Sequence, residues 1–193
     1  WCYGFAPVVA SIAEEYRDRA PLRLVMGGLR PYQTTPLSNA EKSMIREHWQ
    51  AVALRSGQPF DFSFFDRQSF IYDTEPPCRA IVIARETSPG SERGLMKAIQ
   101  HAFYAENCDV TDLDQLARLA AANGHDRQVF RQLLDDEAMK TRTRVDFLVA
   151  QKSGVRGFPT LVADDKKSGY HLVSGGYTDL ESIAVRLDQL MAA

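Results

Sequence analysis

The sequence contains little cysteine, no excess of one charge and no long hydrophobic run. Its three cysteines are Cys2, Cys78 and Cys108, too few and too scattered for a disulfide scaffold, and their odd number leaves at least one thiol without a partner inside the chain. The formal net charge is −2, which gives no electrostatic case for binding nucleic acid or an anionic membrane surface. No stretch approaches the roughly 18 consecutive apolar residues that a membrane helix needs.

The rest of the composition is that of an ordinary folded protein. Hydrophobic residues make up 45% of the chain and charged residues 25%, as in soluble globular proteins. A length of 193 residues suits one domain, or one domain that carries a sizeable insertion. Residue 1 is Trp rather than Met, so we expect translation to start upstream, and the first residues indicate no compartment.

The N-terminal pattern predicts a helix, a strand and a second helix. Apolar residues recur at helical spacing in residues 5–16 and predict an amphipathic helix that ends near Arg19. The apolar run in residues 21–29 predicts a buried strand. Ser38 and Glu41 then form a capping-box pattern ahead of another amphipathic helix.

The middle of the chain is helical by pattern. We expect the aromatic side chains of residues 57–70 to pack together rather than to line a groove. Residues 76–86 fit either a strand, by their apolar β-branched run, or a helix that starts at the two prolines. Ser88 is a candidate N-cap with Pro89 as the first helical residue, and Thr111 is a candidate cap for the following helix.

Near the C-terminus the hydrophobic period changes from helical to alternating. Residues 158–177 predict a strand, a polar turn and a second strand, with residues 164–167 as the solvated hairpin turn. Thr178 and Glu181 form a second capping-box pattern and predict a final helix.

This order of elements predicts an α/β domain that a helical insertion divides in two. Neither flank of the long helical stretch contains enough strands to form a sheet alone. We therefore assign residues 1–35 and 154–193 to the two halves of one α/β domain, and residues 36–153 to the insertion. No internal repeat or low-complexity segment is present.

Cys2 lies at the start of the first predicted helix. Unpaired backbone N–H groups and the helix dipole favour a thiolate there. Pro7 falls inside the same helix, where a proline costs about 3 kcal/mol or produces a kink. A lone cysteine in an apolar context is more often a small buried hydrophobic residue, so these residues alone leave both interpretations open.

The segment "GVRGFPT", residues 154–160, leads into the first C-terminal strand. Its Pro159 removes a backbone donor at the beginning of that strand. A cis Phe158–Pro159 bond would hold the neighbouring backbone in a fixed orientation, whereas an ordinary loop proline would have no such role.

Together, the two segments resemble one family closely. "WCYGFAP" is similar to the end of the C-x-W-C-x-G-F-x-P active-site segment of DsbA-type thioredoxin-fold oxidoreductases. "GVRGFPTLV" is similar to their cis-proline loop, and "TEPPCRA" and "HAFYAENCDVTD" resemble parts of the helical insertion in the FrnE-like branch. The likeness covers nearly the whole chain in the right order. It implies a thioredoxin-like fold with a helical domain inserted between the two halves of the sheet.

The resemblance also assigns roles to residues. Cys2 matches the second, resolving cysteine of the motif, with Trp1, Tyr3, Pro7 and Pro159 around it. The resemblance implies that Trp1 tunes exposure and redox potential.

The segment around Pro159 would hold the substrate. Backbone groups of Gly157 and Phe158, together with Thr160, would bind an extended substrate peptide by β-addition.

Two parts of the family's pattern fall outside this sequence. The first cysteine, which is the nucleophile in the family, would lie two positions before Trp1, and the first strand of the sheet would precede it. We expect the sequence to be an ordered portion of a longer protein that contains both.

The remaining cysteines and the histidines suggest no further site. Cys78 and Cys108 are expected to be buried or simply exposed, although spacing leaves a bridge between them open. The four histidines, at positions 48, 101, 125 and 171, lack metal-ligand spacing, so we predict no metal and no cofactor beyond glutathione as a redox partner.

The leading hypothesis is a protein dithiol–disulfide oxidoreductase or isomerase that acts on protein thiols and disulfides. A glutathione-dependent isomerase or transferase of the same fold is the main alternative, and retention of Cys2 argues against it. A non-catalytic peptide-binding or chaperone module is the third. FrnE-like relatives are mostly cytoplasmic, so the resemblance implies the cytoplasm of a bacterium. No nucleic-acid or membrane partner is predicted, and nothing indicates an oligomeric state.

Overall fold

The structure, a computed structural model, describes residues 1–164, 167 and 169–192. In those ranges the chain forms eight α-helices, one short 3₁₀ helix at Phe62–Asp66 and two strands. In chain order the helices and strands are α1 (Cys2–Glu15), α2 (Asn39–Ser56), α3 (Glu75–Thr87), α4 (Glu92–Glu106), α5 (Leu113–Ala122), α6 (Arg127–Asp135), α7 (Glu137–Lys152), β1 (Thr160–Asp164), β2 (Tyr170–Gly175) and α8 (Leu180–Ala192).

The two strands form an antiparallel hairpin. Their register runs from Thr160 opposite Gly175 to Asp164 opposite Tyr170, with an irregularity between residues 161 and 162. The predicted strand–turn–strand pattern is therefore confirmed. The predicted solvated turn at residues 164–167 includes residues 165 and 166, which lie outside the described residues.

Buried side chains form two hydrophobic cores. The larger core lies among α2 to α6, and α3 runs through it with Ala80, Ile81, Ile83 and Ala84 buried. The smaller core joins α1 to the hairpin and α8 through these buried residues: Phe5, Ile12, Tyr16, Val173, Ile183 and Leu187. The first and last parts of the chain thus pack on each other. The division at residues 35 and 153 stays a prediction.

Several expectations for the middle of the chain are confirmed. Ser38 and Glu41 form the capping box, with both reciprocal hydrogen bonds present. The aromatic side chains of the loop pack around Trp49, whose ring contacts those of Phe64 and Phe65 at 5.0 and 4.9 Å. The ambiguous residues 76–86 are helical, within α3.

The predicted strand at residues 21–29 is wrong. No strand lies beside this extended segment in the described parts of the chain, and side chains from two helices take up its backbone groups instead. Arg85 Nη1 donates to the Leu24 carbonyl at 2.9 Å, and the Met26 N–H donates to Asp146 Oδ2 at 2.9 Å. A strand needs a neighbouring backbone for its ladder, and here helix side chains occupy that place.

Three predicted N-caps are wrong because other residues take the capping role. Ser88 is the C-cap of α3, so α4 begins at Glu92 after Ser91 rather than at Pro89. The Thr111 hydroxyl bonds the Asp109 carboxylate at 2.6 Å, and Asp112 caps α5 instead.

The third wrong cap is at the last helix. The Thr178 hydroxyl bonds that of Ser174 at 2.8 Å. Asp179 accepts from the Ser182 N–H at 2.8 Å at the start of α8. In each of the three cases the predicted hydroxyl does not cap the helix, because a neighbouring turn or carboxylate offers it, or the helix terminus, another bond.

Candidate active site

Cys2 is the first residue of α1. Trp1 is the N-cap, its side chain makes no capping hydrogen bond, and the Trp1 carbonyl accepts from the Phe5 N–H at 2.9 Å. Cys2 is exposed and its thiol is free. Nevertheless, desolvation of the sulfur by the surrounding protein raises the pKa of Cys2 above its usual value. The thiolate expected from the helix start is therefore not favoured here, because desolvation is larger than the effects that lower the pKa of Cys2.

Trp1 connects the start of α1 to the proline loop. Its indole is 43% exposed and packs edge-on against the Tyr177 ring at 6.2 Å. Tyr177 also contacts Phe5 of α1 at 5.9 Å. The preceding residue, Gly176, donates its N–H to the Pro159 carbonyl at 2.8 Å. Trp1 and Pro159 are thus joined through two consecutive residues, Gly176 and Tyr177.

Pro7 lies inside α1, yet the helix continues to Glu15. A proline has no N–H, so the carbonyl four residues earlier, on Tyr3, loses its helical donor. Gln58 Nε2 donates to that carbonyl at 3.3 Å. A side chain beyond the end of α2 therefore replaces the bond that Pro7 removes, which sequence spacing did not reveal.

Tyr3 points away from the exposed thiol and into the interior. It is 4% exposed, stacks on Tyr104 at 4.9 Å with an interplanar angle of 8°, and meets Phe60 edge-on at 5.3 Å. Its hydroxyl has no hydrogen-bond partner among the described residues, and desolvation raises its pKa. The residue after Cys2 therefore ties α1 to the helical core.

The Phe158–Pro159 peptide bond is cis. Pro159 is buried, while Gly157 is exposed and its carbonyl accepts from the Thr160 hydroxyl at 2.7 Å. Within the described residues, neither the N–H nor the C=O of the Phe158 backbone has a hydrogen-bond partner. A free donor and acceptor on one residue beside a strand can pair with an extended peptide.

Two aromatic rings lie directly against the Gly27–Gly28 pair. A Cβ atom added at Gly27 would lie 1.9 Å from Cε1 of Phe158, and one at Gly28 would lie 2.9 Å from Cε1 of Phe147. Gly28 also has a φ of +64°, which favours glycine. The sequence showed the two glycines but not the rings that require them.

A cavity of about 370 Å³ lies beside the proline loop. Its lining is mainly apolar, with Gln151 and Arg156 as the polar side chains. The lining residues are Gly27, Gly28, Leu29, Pro31, Phe147, Ala150, Gln151, Val155, Arg156 and Phe158. Arg156 is exposed and forms no ion pair within the part of the chain that the structure describes. The cavity could therefore hold a ligand with an apolar body and a negative end.

Cys78 and Cys108 are free thiols in the structure, so the bridge that spacing left open is absent. Cys78 lies on α3, behind the segment that carries Gly28, whose backbone hydrogen-bonds the thiol. Burial raises the pKa of Cys78 to about 12. Cys108 lies after α4, and burial raises its pKa too. The sequence did not show that Cys78 approaches the site.

These pKa shifts predict the order in which the thiols react. With a pKa of about 12, roughly one Cys78 thiol in ten thousand is ionised at pH 8. We expect iodoacetamide to label Cys2 well before Cys78 at pH 8, and the rate at Cys78 to rise about tenfold per pH unit between pH 8 and 10, because only the thiolate reacts. Peptide mapping by mass spectrometry measures this, with the protein unfolded in urea as the control. Equal labelling of Cys2 and Cys78 at pH 8 would contradict the assignment.

Neither a metal centre nor a membrane span is found in the described ranges. No three His, Cys, Asp or Glu side chains among those residues cluster as metal ligands would. No helix in the same ranges combines the length and the apolar character that crossing a membrane requires.

Comparisons with known proteins converge on one family. Residues 1–188 match the DSBA-like thioredoxin domain, whereas no protein of curated function matches the chain. The crystal structure of a candidate protein disulfide isomerase from Nitrosomonas europaea is 34% identical, with a TM-score of 0.92, over 100% of this chain and 92% of that one.

A second solved structure is more distant in sequence. The cytosolic disulfide reductase DsbM from Pseudomonas aeruginosa is 24% identical, with a TM-score of 0.80, over 100% of this chain and 94% of that one. Its structure with GSH is 22% identical, with a TM-score of 0.78 and the same coverage. These likenesses confirm the expected thioredoxin-like fold with inserted helices.

Proposed function

The chain belongs to the family of DSBA-like thioredoxin domains, and on that premise we propose that it is a thiol–disulfide oxidoreductase that exchanges or isomerises disulfides in protein substrates. Cys2 is the second cysteine of a C-x-W-C motif in this proposal, and the motifs of the helical insertion support membership of the FrnE-like branch. The observation that carries the proposal is the position of Cys2 at the start of α1, joined through Trp1 and Tyr177 to the loop of Pro159.

The proposed reaction is a pair of thiol–disulfide exchanges. The upstream cysteine, expected two positions before Trp1, attacks one sulfur of a substrate disulfide as a thiolate. An enzyme–substrate S–S bond forms as the substrate S–S bond breaks, and the released sulfur takes up a proton. Cys2 then gives up its proton and attacks the enzyme sulfur of the mixed disulfide, so the second substrate sulfur leaves and is protonated. The substrate gains two electrons and two protons, and the enzyme disulfide is reduced again by two thiols such as glutathione.

The raised pKa of Cys2 supports the resolving role. A thiol that stays protonated at neutral pH does not compete with the upstream cysteine for the substrate disulfide, because the thiolate is the attacking species. It reacts once the mixed disulfide holds a sulfur beside it, where proximity replaces a high thiolate fraction.

The segment before β1 would hold the substrate peptide. In the proposal the free N–H and C=O of Phe158 pair with an extended substrate backbone. Gly157 is exposed and leaves room for that backbone, while the Thr160 hydroxyl fixes the Gly157 carbonyl at 2.7 Å. The substrate disulfide would then lie between Pro159 and the start of α1.

A thiol-coupled assay on the full-length protein tests this function. We expect the wild-type protein to accelerate both the reduction of insulin by a thiol donor and the refolding of a scrambled disulfide substrate. Absence of both activities, in a folded protein that retains its thiols, would overturn the proposal. Binding of an unfolded, disulfide-free peptide without any turnover would instead support the peptide-binding alternative.

The cavity favours glutathione as the redox partner. Its apolar lining and the unpaired Arg156 fit a small anionic peptide, and the neighbour DsbM has been solved with GSH. Glutathione would supply the two electrons that the reaction needs, and no other cofactor is proposed. The same feature would serve a glutathione-dependent isomerase or transferase, which the disulfide assays distinguish because such an enzyme would not turn over insulin.

Arg156 should make the affinity for glutathione higher than that for glutathione ethyl ester, in which the carboxylate of the glycine residue is esterified and uncharged. An exposed ion pair contributes up to about 1 kcal/mol, so we expect the wild-type protein to bind glutathione about threefold more tightly than the ester in low salt. Arg156→Gln should bind the two equally, as isothermal titration calorimetry would show. Lys152→Gln removes the same charge from the end of α7, at a residue that does not itself line the cavity, and should keep the preference. Retained discrimination in Arg156→Gln would contradict the assignment.

The proposed location is the cytoplasm. The DsbM neighbour, a cytosolic protein, supports this location. Fractionation of cells that produce the full-length protein tests this, with recovery in the periplasmic fraction as the opposing result.

A further inference from the structure

A buried ion pair lies behind the proline loop, between α3 and α7. Asp146 of α7 and Arg85 of α3 meet in a bidentate contact, with Nη1 to Oδ2 at 2.8 Å and Nη2 to Oδ1 at 3.0 Å. The side chains are only 6% and 14% exposed, respectively. Burying two charges carries a large desolvation cost, so a pair in this position calls for a reason beyond joining two helices.

The pair also holds the extended segment that precedes Gly27. Asp146 Oδ2 accepts from the Met26 N–H at 2.9 Å, and Arg85 Nη1 donates to the Leu24 carbonyl at 2.9 Å. This segment has no strand partner in the described ranges. Two side chains therefore do what a neighbouring strand does elsewhere, and they fix the backbone at two alternate residues.

The held segment in turn supports the ring of Phe158. The Gly27 Cα leaves no room for even a methyl group beside that ring, since an added Cβ would lie 1.9 Å from it. Phe147, the neighbour of Asp146 on α7, lies against Gly28 in the same way. A shift of the segment towards the ring would therefore displace Phe158, and a shift away would remove the support of its ring; the backbone of Phe158 leads directly into Pro159.

We propose that Asp146, held by Arg85, is a positioning residue for substrate binding: it sets the place of Met26 and Gly27, and through them the place of Phe158 and the peptide-binding backbone. The inference rests on the proposed function for its kinetic consequence. The proposed role affects the backbone that binds the substrate peptide and leaves the chemistry at Cys2 unchanged. It can therefore be separated from a general effect on folding.

The test variant is the double substitution Arg85→Met/Asp146→Leu in the full-length protein. It removes both charges at similar volume, a replacement that often preserves the fold, and it leaves the Leu24 carbonyl and the Met26 N–H without their side-chain partners. Asp146→Asn is a second variant, which keeps an acceptor for Met26. Arg142→Gln is the matched control, because Arg142 pairs with Glu86 across the same two helices and does not contact the segment. Glu86 also lies 3.5 Å from Arg85 Nε, so this control removes a neighbouring charge and leaves both bonds to the segment in place.

Two substrates separate positioning from stability. We expect the double variant to raise KM for a disulfide-bonded peptide about tenfold, in line with the cost of a small misplacement. Its kcat for the peptide should stay within about twofold of the wild-type value. So should its rate with hydroxyethyl disulfide, because so small a disulfide does not need the peptide-binding backbone of Phe158. The KM of Asp146→Asn for the peptide should lie between those of the wild type and the double variant, and the KM of Arg142→Gln should match the wild type. A parallel loss with both substrates would show a merely structural role, and an unchanged KM would overturn the proposal.

Hydrogen exchange provides a readout that does not depend on activity. In the double variant, or in Asp146→Asn if the double variant does not fold, exchange should be faster in residues 22–30 and also in residues 154–161, and unchanged in α5. Faster exchange in the first segment alone would overturn the link to the proline loop. If the wild-type protein reduces neither disulfide, the proposed function fails while this result still decides whether Asp146 positions the loop.

Discussion

Replacing Cys2 by Ser should lower kcat/KM for insulin reduction by at least about 100-fold, as expected for loss of a covalent-catalysis residue. A hydroxyl does not attack a disulfide under these conditions, so the mixed disulfide formed by the upstream cysteine would no longer be resolved by the enzyme. The protein–substrate adduct should accumulate and be visible by non-reducing electrophoresis and intact mass. Because Cys2 is exposed, we expect the stability to change by no more than about 0.5 kcal/mol.

Cys108→Ser is the matched control for this substitution. Cys108 is a free, half-buried thiol after α4, and its loss should leave insulin reduction within about twofold of wild type. Wild-type activity in Cys2→Ser would remove Cys2 from the resolving role. Equal loss in both variants would indicate that thiol replacement damages the fold rather than the reaction.

Gly27→Ala should impair both stability and peptide turnover. The added methyl group would lie 1.9 Å from the Phe158 ring, so the ring must leave its place. Overpacking of this kind costs about 1–3 kcal/mol, and displacement of the peptide-binding backbone should lower kcat/KM for a disulfide-bonded peptide by roughly tenfold or more. Urea unfolding and peptide kinetics measure the two effects.

A double-mutant cycle shows whether the clash is the cause. In a Phe158→Ala background the ring is gone, so adding Gly27→Ala should cost no more than about 0.5 kcal/mol of further stability. Gly94→Ala on α4 is the control, because its nearest contact would be an ordinary 3.5 Å to Asn123, and alanine in a helix is favoured by about 1 kcal/mol over glycine. An undiminished cost of Gly27→Ala in the Phe158→Ala background would contradict the proposed contact.

Local chemistry explains which elements the sequence predicts correctly. The capping box at Ser38 forms because both of its hydrogen bonds join residues three apart, and Arg30, the other partner of Glu41, binds the second carboxylate oxygen and leaves the first to Ser38. Ser88 and Thr111 have the same preference, but Ser88 ends α3 and the Thr111 hydroxyl is taken by Asp109. A capping hydroxyl is therefore predictable only where no neighbouring turn or carboxylate offers it another bond.

At residues 21–29 the pattern of apolar residues predicts a strand that does not form. Residues 21–26 alternate between exposed and half-buried, as in a strand, yet a ladder also requires a second backbone at the right distance. The partners it has instead, Arg85 and Asp146, lie about 60 and 120 residues along the chain. No local pattern contains that information.

The candidate site likewise has parts that the sequence predicts and parts that it does not. The motifs around Cys2 and Pro159 were recognisable because each is contiguous, whereas the contacts of Gly27 with Phe158 and of Cys78 with Gly28 join distant segments. Asp146 carried no such signal, because the buried residues of α7, Thr143, Asp146 and Ala150, include two polar ones. Neighbouring Val145 and Leu148 are half exposed, so hydrophobicity alone would have selected the wrong face.

A redox titration of the full-length protein tests the central claim most directly. The protein would be equilibrated over a series of glutathione ratios, quenched by alkylation and mapped by mass spectrometry, with buried Cys78 as the internal reference. We predict that Cys2 passes from alkylated to protected in a single two-electron transition, as a disulfide with the cysteine two positions before Trp1, while Cys78 gives the same signal throughout. A Cys2 thiol that stays alkylatable at every ratio would contradict the claim that it belongs to a redox-active pair.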